Sequence, residues 1–147
     1  MNETWVPYMR AALVEAQIAM DVSGDVPVGA VLVDAAGEIG ARGRNEKELL
    51  GDPTAHAEIR VLRQAANKKK NYRIGGTLYV TLEPCLMCAG ALYWNKIGHI
   101  VFGAYDEKNS YRRVTEKNPF HPSTTLTGGI LQEECAALMQ SFFKAKR

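Results

Sequence analysis

The sequence predicts an α/β layered domain, and three observations carry that expectation. Short apolar runs rich in β-branched residues alternate with longer segments whose apolar residues recur every three or four positions, the periods of strands and of amphipathic helices respectively. The order strand, helix, strand, helix, strand implies parallel strands joined by right-handed helical crossovers. The 147 residues, 46% hydrophobic and 23% charged, suit one domain with a buried core and an ordinary globular composition. One domain over 1–147 is therefore expected.

Each element has its own signal. Trp5, Met9, Ala12, Leu13, Ala16 and Met20 make the stripe of a first helix ending near Asp21, ahead of the Ser23-Gly24-Asp25 break. Residues 28–33 and 38–44, joined by the turn residues Asp34-Ala35-Ala36-Gly37, read as a β-hairpin. Asp52-Pro53-Thr54 supplies a capping carboxylate and a proline suited to a first turn, which predicts a helix over 54–66 closed by Asn67 and Lys68-Lys69-Lys70. A strand over 77–82 follows Gly75-Gly76, Pro84 opens a third helix through Leu86, Met87, Ala89, Leu92 and Tyr93, and 97–102 is a buried strand. Residues 104–122 are polar and irregular, a loop of functional length. A last strand is expected at 123–126 and a last helix at 131–144, with Ile130, Cys135, Leu138, Met139, Phe142 and Phe143 as its packing stripe.

Composition narrows the function classes. No run approaches the roughly 18 apolar residues of a membrane helix, and Glu3 and Arg10 are the early charges before a broken apolar pattern. A cytoplasmic protein with no membrane association is expected. Three cysteines, two in a C-x-x-C pair, suit metal or redox chemistry better than a disulfide framework. A net charge of +2 and a pI near 8.4 fall short of a dedicated nucleic-acid binder.

Two short motifs carry chemistry: Thr54-Ala55-His56-Ala57-Glu58 and Glu83-Pro84-Cys85-Leu86-Met87-Cys88. Zinc takes imidazole nitrogen and thiolate sulfur, and a catalytic zinc keeps three protein ligands and one open position. His56, Cys85 and Cys88 meet that count. Cys85 and Cys88 are three apart, on one side of a first helical turn where the helix dipole favours thiolates. His56 and Glu58 are two apart and on a regular helix would diverge by about 200°. They reach one site only if the helix meets the metal near its end, so the second and third helices should bring their N-termini together at the carboxyl edge of the sheet. Glu58 then suits a proton carrier beside zinc-activated water. A structural zinc would instead need a fourth ligand from Cys135, His99 or His121, of which Cys135 and His99 read as core residues.

The pairing of H-x-E with P-C-x-x-C is the known signature of zinc deaminases, and at these residues the chain resembles the cytidine deaminase superfamily. Nearly the whole chain is similar to the bacterial tRNA-specific adenosine deaminases, at Val26-Pro27-Val28-Gly29-Ala30, Gly43-Arg44-Asn45, 52–58, 77–85, Phe102-Gly103-Ala104 and Gly129-Ile130-Leu131. The resemblance implies a three-layer α/β/α sandwich around a five-stranded mixed sheet, a homodimer, and one Zn2+ per subunit on His56, Cys85 and Cys88. It implies Glu58 as the catalytic proton shuttle, Asn45 and Val28 as substrate-binding residues, and a matching Asp106. The implied reaction turns adenosine into inosine in the tRNA anticodon loop, at the wobble position. Lys68-Lys69-Lys70, Arg112-Arg113 and 144–147, with Tyr111, Phe120, Phe142 and Phe143, are candidate phosphate contacts and stacking faces.

Two other readings stay open. The segments 107–114 and 118–122 largely differ from that family, and Tyr93-Trp94 is similar to bacterial guanine deaminases, which points to deamination of a free nucleobase or nucleoside. A zinc-stabilised RNA-binding subunit without catalysis would make no use of Glu58.

Overall fold

Small side chains set how closely the first helix lies on the sheet. In the computed structural model, which describes residues 3–146, α1 (Trp5–Ser23) buries Met9, Ala12, Ala16 and Ala19. It runs two residues past the expected end because Gly24 takes a left-handed conformation, its N–H reaching Met20 O while that of Asp25 reaches Ala19 O, a glycine-capped helix end.

The hairpin forms as expected from β1 (Gly29–Val33) and β2 (Ile39–Arg44), paired antiparallel with a bulge at Leu32/Val33. Asp34 Oδ1 accepts the Ala36 and Glu38 N–H groups and Gly37 supplies a φ of 83°, which closes the turn. A four-residue helix, α2 (Lys47–Leu50), has no counterpart in the sequence reading. The buried Asp25 carboxylate holds its start by accepting Glu48 N–H at 2.9 Å.

The next helix, α3 (Ala57–Lys69), begins three residues later than the sequence suggests. Asp52 spends its carboxylate on the N–H and hydroxyl of Thr54, at 2.8 and 2.7 Å, in a local turn. Asn45 Oδ1 accepts Ala57 N–H at 2.8 Å and starts the helix there. Then follow β3 (Thr77–Leu82), α4 (Leu86–Asn95), β4 (His99–Ala104), β5 (Thr125–Thr127) and α5 (Gln132–Ala145). The loop before β5 carries one 3-10 turn, Tyr111–Arg113.

The strands form one sheet in the order β2-β1-β3-β4-β5. β1 is antiparallel to both neighbours, and β3, β4 and β5 are parallel. The expected parallel succession therefore holds for β2, β3, β4 and β5, while β1 makes the sheet mixed. No α-helix bridges β4 and β5. Alternate side chains feed two cores. Leu32, Leu78, Val80 and Ile100 pack with Val61, Leu62 and Leu92 of α3 and α4; Val31, Val33, Tyr79 and Val101 pack with Met9, Ala12 and Cys135 of α1 and α5. This is the α/β/α sandwich. Among the described residues no helix is long and apolar enough to cross a membrane.

β2 and β3 flank β1 and run in the same direction, so α3 and α4, which follow them, both start at one edge of the sheet. That edge holds the motif residues.

Gly29 is where α1 touches the sheet: a Cβ there would lie 2.1 Å from Ala12 O and 2.5 Å from Ala16 N. Gly29→Ala is expected to lower stability by about 2–3 kcal/mol through overpacking. Gly40→Ala, which meets nothing within 4 Å, should stay within about 1 kcal/mol of wild type. Urea midpoints at unchanged m-value measure both, and equal midpoints would contradict the packing.

Candidate active site

Where a helix begins decides what its first residues can reach. His56 is the residue before α3 and Cys85 the residue before α4, both in extended backbone, with φ/ψ of −74°/155° and −77°/173°. Neither side chain follows helical spacing. His56 therefore leaves the chain outside the helix while Glu58 leaves it from the first turn, and the divergence expected of residues two apart on a helix does not arise. Cys88 sits in the first turn of α4, fully buried.

The three donors meet. His56 Nδ1 lies 3.6 Å from Cys85 Sγ and 3.5 Å from Cys88 Sγ, and all three ligand atoms lie within 4.8 Å of one another. A tetrahedral zinc with Zn–N near 2.05 Å and Zn–S near 2.3 Å requires an N···S separation of about 3.6 Å. One nitrogen and two sulfurs at that spacing fit zinc in both geometry and donor chemistry. Cys135, His99 and His121 lie elsewhere: Cys135 packs against Gly103, His99 Nε2 pairs with Thr127 Oγ1 at 2.9 Å, and His121 Nδ1 pairs with Ser123 Oγ at 2.7 Å.

Electrostatics separate the roles of these groups. The hydrogen bond from the Cys88 thiol holds Cys85 down to about 4, with His56 adding to it against the opposing cost of burial. Cys88, which gives that hydrogen bond and is buried, goes up. His56 is raised by its contact with Cys85. Burial pushes Glu58 up to about 7, and the negative Cys85 pushes in the same direction. A carboxyl group balanced near neutrality both takes and returns a proton.

A cleft of about 650 Å³ gathers Val28, Asn45, His56, Glu58, Cys85 and Asp106. Val28 is a buried apolar part of its wall. Asn45 has its amide oxygen committed to the start of α3, which leaves Nδ2 as the group it offers to the cleft. Asp106 Oδ1 accepts the N–H groups of Lys108 and Asn109 and so folds its own loop. Sequence reasoning missed Lys47, Leu82, Lys108, Asn109 and Met139 as lining residues. Phe143, expected both in the packing stripe and as a stacking face, is 47% exposed and lines the cleft; for Met139 the available signal is a stripe too wide for one core.

One of the expected stacking faces is corrected, and other candidate residues lie away from the cleft. Phe120 is buried in the core against Tyr111 and offers no stacking face. Lys68 and Lys69 close the 13-residue α3, about 20 Å from His56 by helical rise. Tyr93 and Trp94 lie on the outer face of α4, outside the cleft lining. Arg147 lies outside the described residues.

These positions set a labelling test. Purified protein is expected to carry one zinc, lost in His56→Ala and Cys88→Ala by metal analysis. Chelation should open Cys85 to iodoacetamide while Cys135, its thiol pushed up to about 12 by burial, stays unlabelled in the folded protein. Labelling of Cys135 ahead of Cys85 would contradict this arrangement.

The site geometry agrees with the company the chain keeps. Residues 3–104 match the family model for the cytidine and deoxycytidylate deaminase zinc-binding region. The tRNA-specific adenosine deaminase of Buchnera aphidicola subsp. Baizongia pistaciae is 46% identical over 100% of this chain and 93% of that protein. A structure solved in work on A-to-I editing by tRNA:A34 deaminases at the wobble position of transfer RNA is 39% identical, with a TM-score of 0.82 over 90% of this chain and 98% of that one. The guanine deaminase of Bacillus subtilis is 34% identical with a TM-score of 0.65, over 71% of this chain and 66% of that one. With its cofactor site formed by His56, Cys85 and Cys88 at the meeting of two helix starts, the chain belongs to the zinc-dependent deaminases, in the family of the tRNA-specific adenosine deaminases.

Proposed function

We propose that the chain is a hydrolytic deaminase that converts adenosine to inosine at the anticodon wobble position of tRNA. The observation that carries the chemistry is the buried Glu58 beside a zinc-fitting donor set in an open cleft. The substrate follows from the full-length likeness to tRNA-specific adenosine deaminases. Zinc held by His56, Cys85 and Cys88 supplies the Lewis acidity that makes water a nucleophile at neutral pH.

Glu58 takes a proton from the attacking water and passes it to the purine ring nitrogen. It then hands the second proton to the departing amino group. One C–O bond forms, one C–N bond breaks, and inosine and ammonia leave. Val28 packs against the base, Asn45 Nδ2 donates to the base or ribose, and Asp106 stands at the cleft wall. Lys47 and Lys108 lie where a nucleotide chain would bring its phosphates, and Phe143 offers an exposed ring for a neighbouring base.

The chain functions as a single deaminase domain in a homodimer in the cytoplasm. Supporting the dimer, α4 leaves Leu86, Met87, Tyr93 and Trp94 exposed in a short stretch, an apolar face that a second copy of the chain would cover. Supporting the compartment, the cysteines are free thiols, which a reducing environment preserves. Deamination of a free base is the second reading, supported by the likeness to guanine deaminase.

An anticodon stem-loop assayed beside a panel of free bases and nucleosides separates the two. Inosine should form in the stem-loop, with affinity falling roughly tenfold over a fourfold rise in salt if a few phosphates are contacted. Turnover confined to free bases would overturn the tRNA reading. Glu58→Gln should keep its zinc and lose at least about 100-fold in kcat; near-normal turnover would refute the role of Glu58.

A further inference from the structure

Glu83 has no part in the chemistry above, yet its side chain is 1% exposed and carries charge directly before Pro84 and Cys85. Three N–H groups converge on it. Arg112 donates Nε to Oε2 at 2.7 Å and Nη2 to Oε1 at 2.8 Å, and the Asp106 backbone N–H reaches Oε1 at 3.1 Å. The Arg112 contact is the two-pronged geometry that fixes angle as well as distance. One buried carboxylate thus grips a loop at both ends, by the backbone of residue 106 and by the side chain of residue 112.

The segment between those ends is folded tightly. Asp106 Oδ1 accepts from Lys108 and Asn109, Ser110 N–H reaches Asp106 O, and Ser110 Oγ caps the 3-10 turn by accepting from Arg112 N–H. Tyr111 N–H donates to Pro84 O at 3.1 Å, tying the turn to the residue before Cys85. The Arg112 guanidinium lies 5.7 Å from the Tyr105 ring centroid, a cation–π contact that steadies it from a second side. Asp106, Lys108 and Asn109, the cleft-lining residues of this segment, owe their positions to that clasp.

We propose that Arg112 is a positioning residue for substrate: its bidentate pair with Glu83 closes 106–112 into a fixed wall and registers that wall against the Cys85 turn. This rests on the deaminase reading of the cleft. A lysine at 112 would keep the charge but lose the fork, so charge and geometry are separable.

The zinc-loaded protein, with Arg112→Ala and Arg112→Lys, is the test, on whichever substrate the wild type turns over in the stem-loop and free-base assay. Arg112→Ala should raise KM about tenfold with kcat within about threefold, and Arg112→Lys should fall between it and wild type. Hydrogen exchange of the amides at 108–110 should accelerate at least about tenfold in Arg112→Ala while those of α3 and α4 stay unchanged. A KM within twofold of wild type in Arg112→Ala, or a loss confined to kcat with release of zinc, would overturn the proposal. Unchanged exchange at 108–110 would overturn the clasp itself. A wild type inert on stem-loops defeats the tRNA reading alone, because exchange and free-base kinetics still decide this one.

Discussion

The site depends on where two helices are made to start. Asn45, at the end of the edge-strand hairpin, accepts the Ala57 N–H and so fixes the first residue of α3. Had the helix begun at Thr54, His56 and Glu58 would both sit inside it and point away from each other. Starting at Ala57, the helix leaves His56 in extended chain and puts Glu58 in its first turn. The same device operates at Cys85, in extended chain before α4, with Cys88 in the first turn. Two strands running in the same direction with β1 between them bring these starts to one edge, so sheet topology, helix start and metal geometry are one constraint.

That constraint also sets the electrostatics. A carboxyl group buried as deeply as Glu58 ordinarily prefers its neutral form. Beside a negative thiolate the preference strengthens, and beside His56 it weakens. The result near neutrality depends on all three groups being held at fixed separations, which side chains on mobile loops could not maintain. Placing them on helix starts packed against a fully buried strand such as β1 gives the rigidity that proton transfer demands. Close contact between α1 and Gly29 serves the same end from the opposite face, since β1 leads directly from Val28 at the cleft.

Much of this was legible in the sequence, and the limits have physical causes. Period-two and period-3.6 patterns located the hairpin, β3, the later helices and the α/β layering, because burial writes those periods directly, while the three-layer sandwich followed from the family resemblance. The donor set was legible because zinc tolerates few residue types. Helix ends were less so: the start of α3 turned on Asp52 bonding Thr54 in preference to the helix, a competition between two local hydrogen-bond patterns with the same residues. α2 was hidden because its start depends on Asp25, twenty-three positions from Glu48. Phe120, expected as a stacking face, lies in the core, since an aromatic residue in a loop carries no period to read.

The division between the core-held and loop-held parts of the site follows the same line. Ligands, proton carrier and Asn45 sit on elements whose positions the two cores enforce from both sides of the sheet. The 105–124 loop replaces a helical crossover between β4 and β5; Phe120 ties its later part to the core, while the cleft-side residues 106–109 are left outside it. A loop so released still has to present side chains to substrate in one arrangement, since disorder at the wall would be charged against binding. In this chain the ordering comes from a buried charge: Glu83, fixed at the end of β3 by its N–H to Ala104 O, needs a cation, and Arg112 meets that need only when the loop is closed. An otherwise costly buried carboxylate thereby links the half of the site held by the cores to the half carried by the loop.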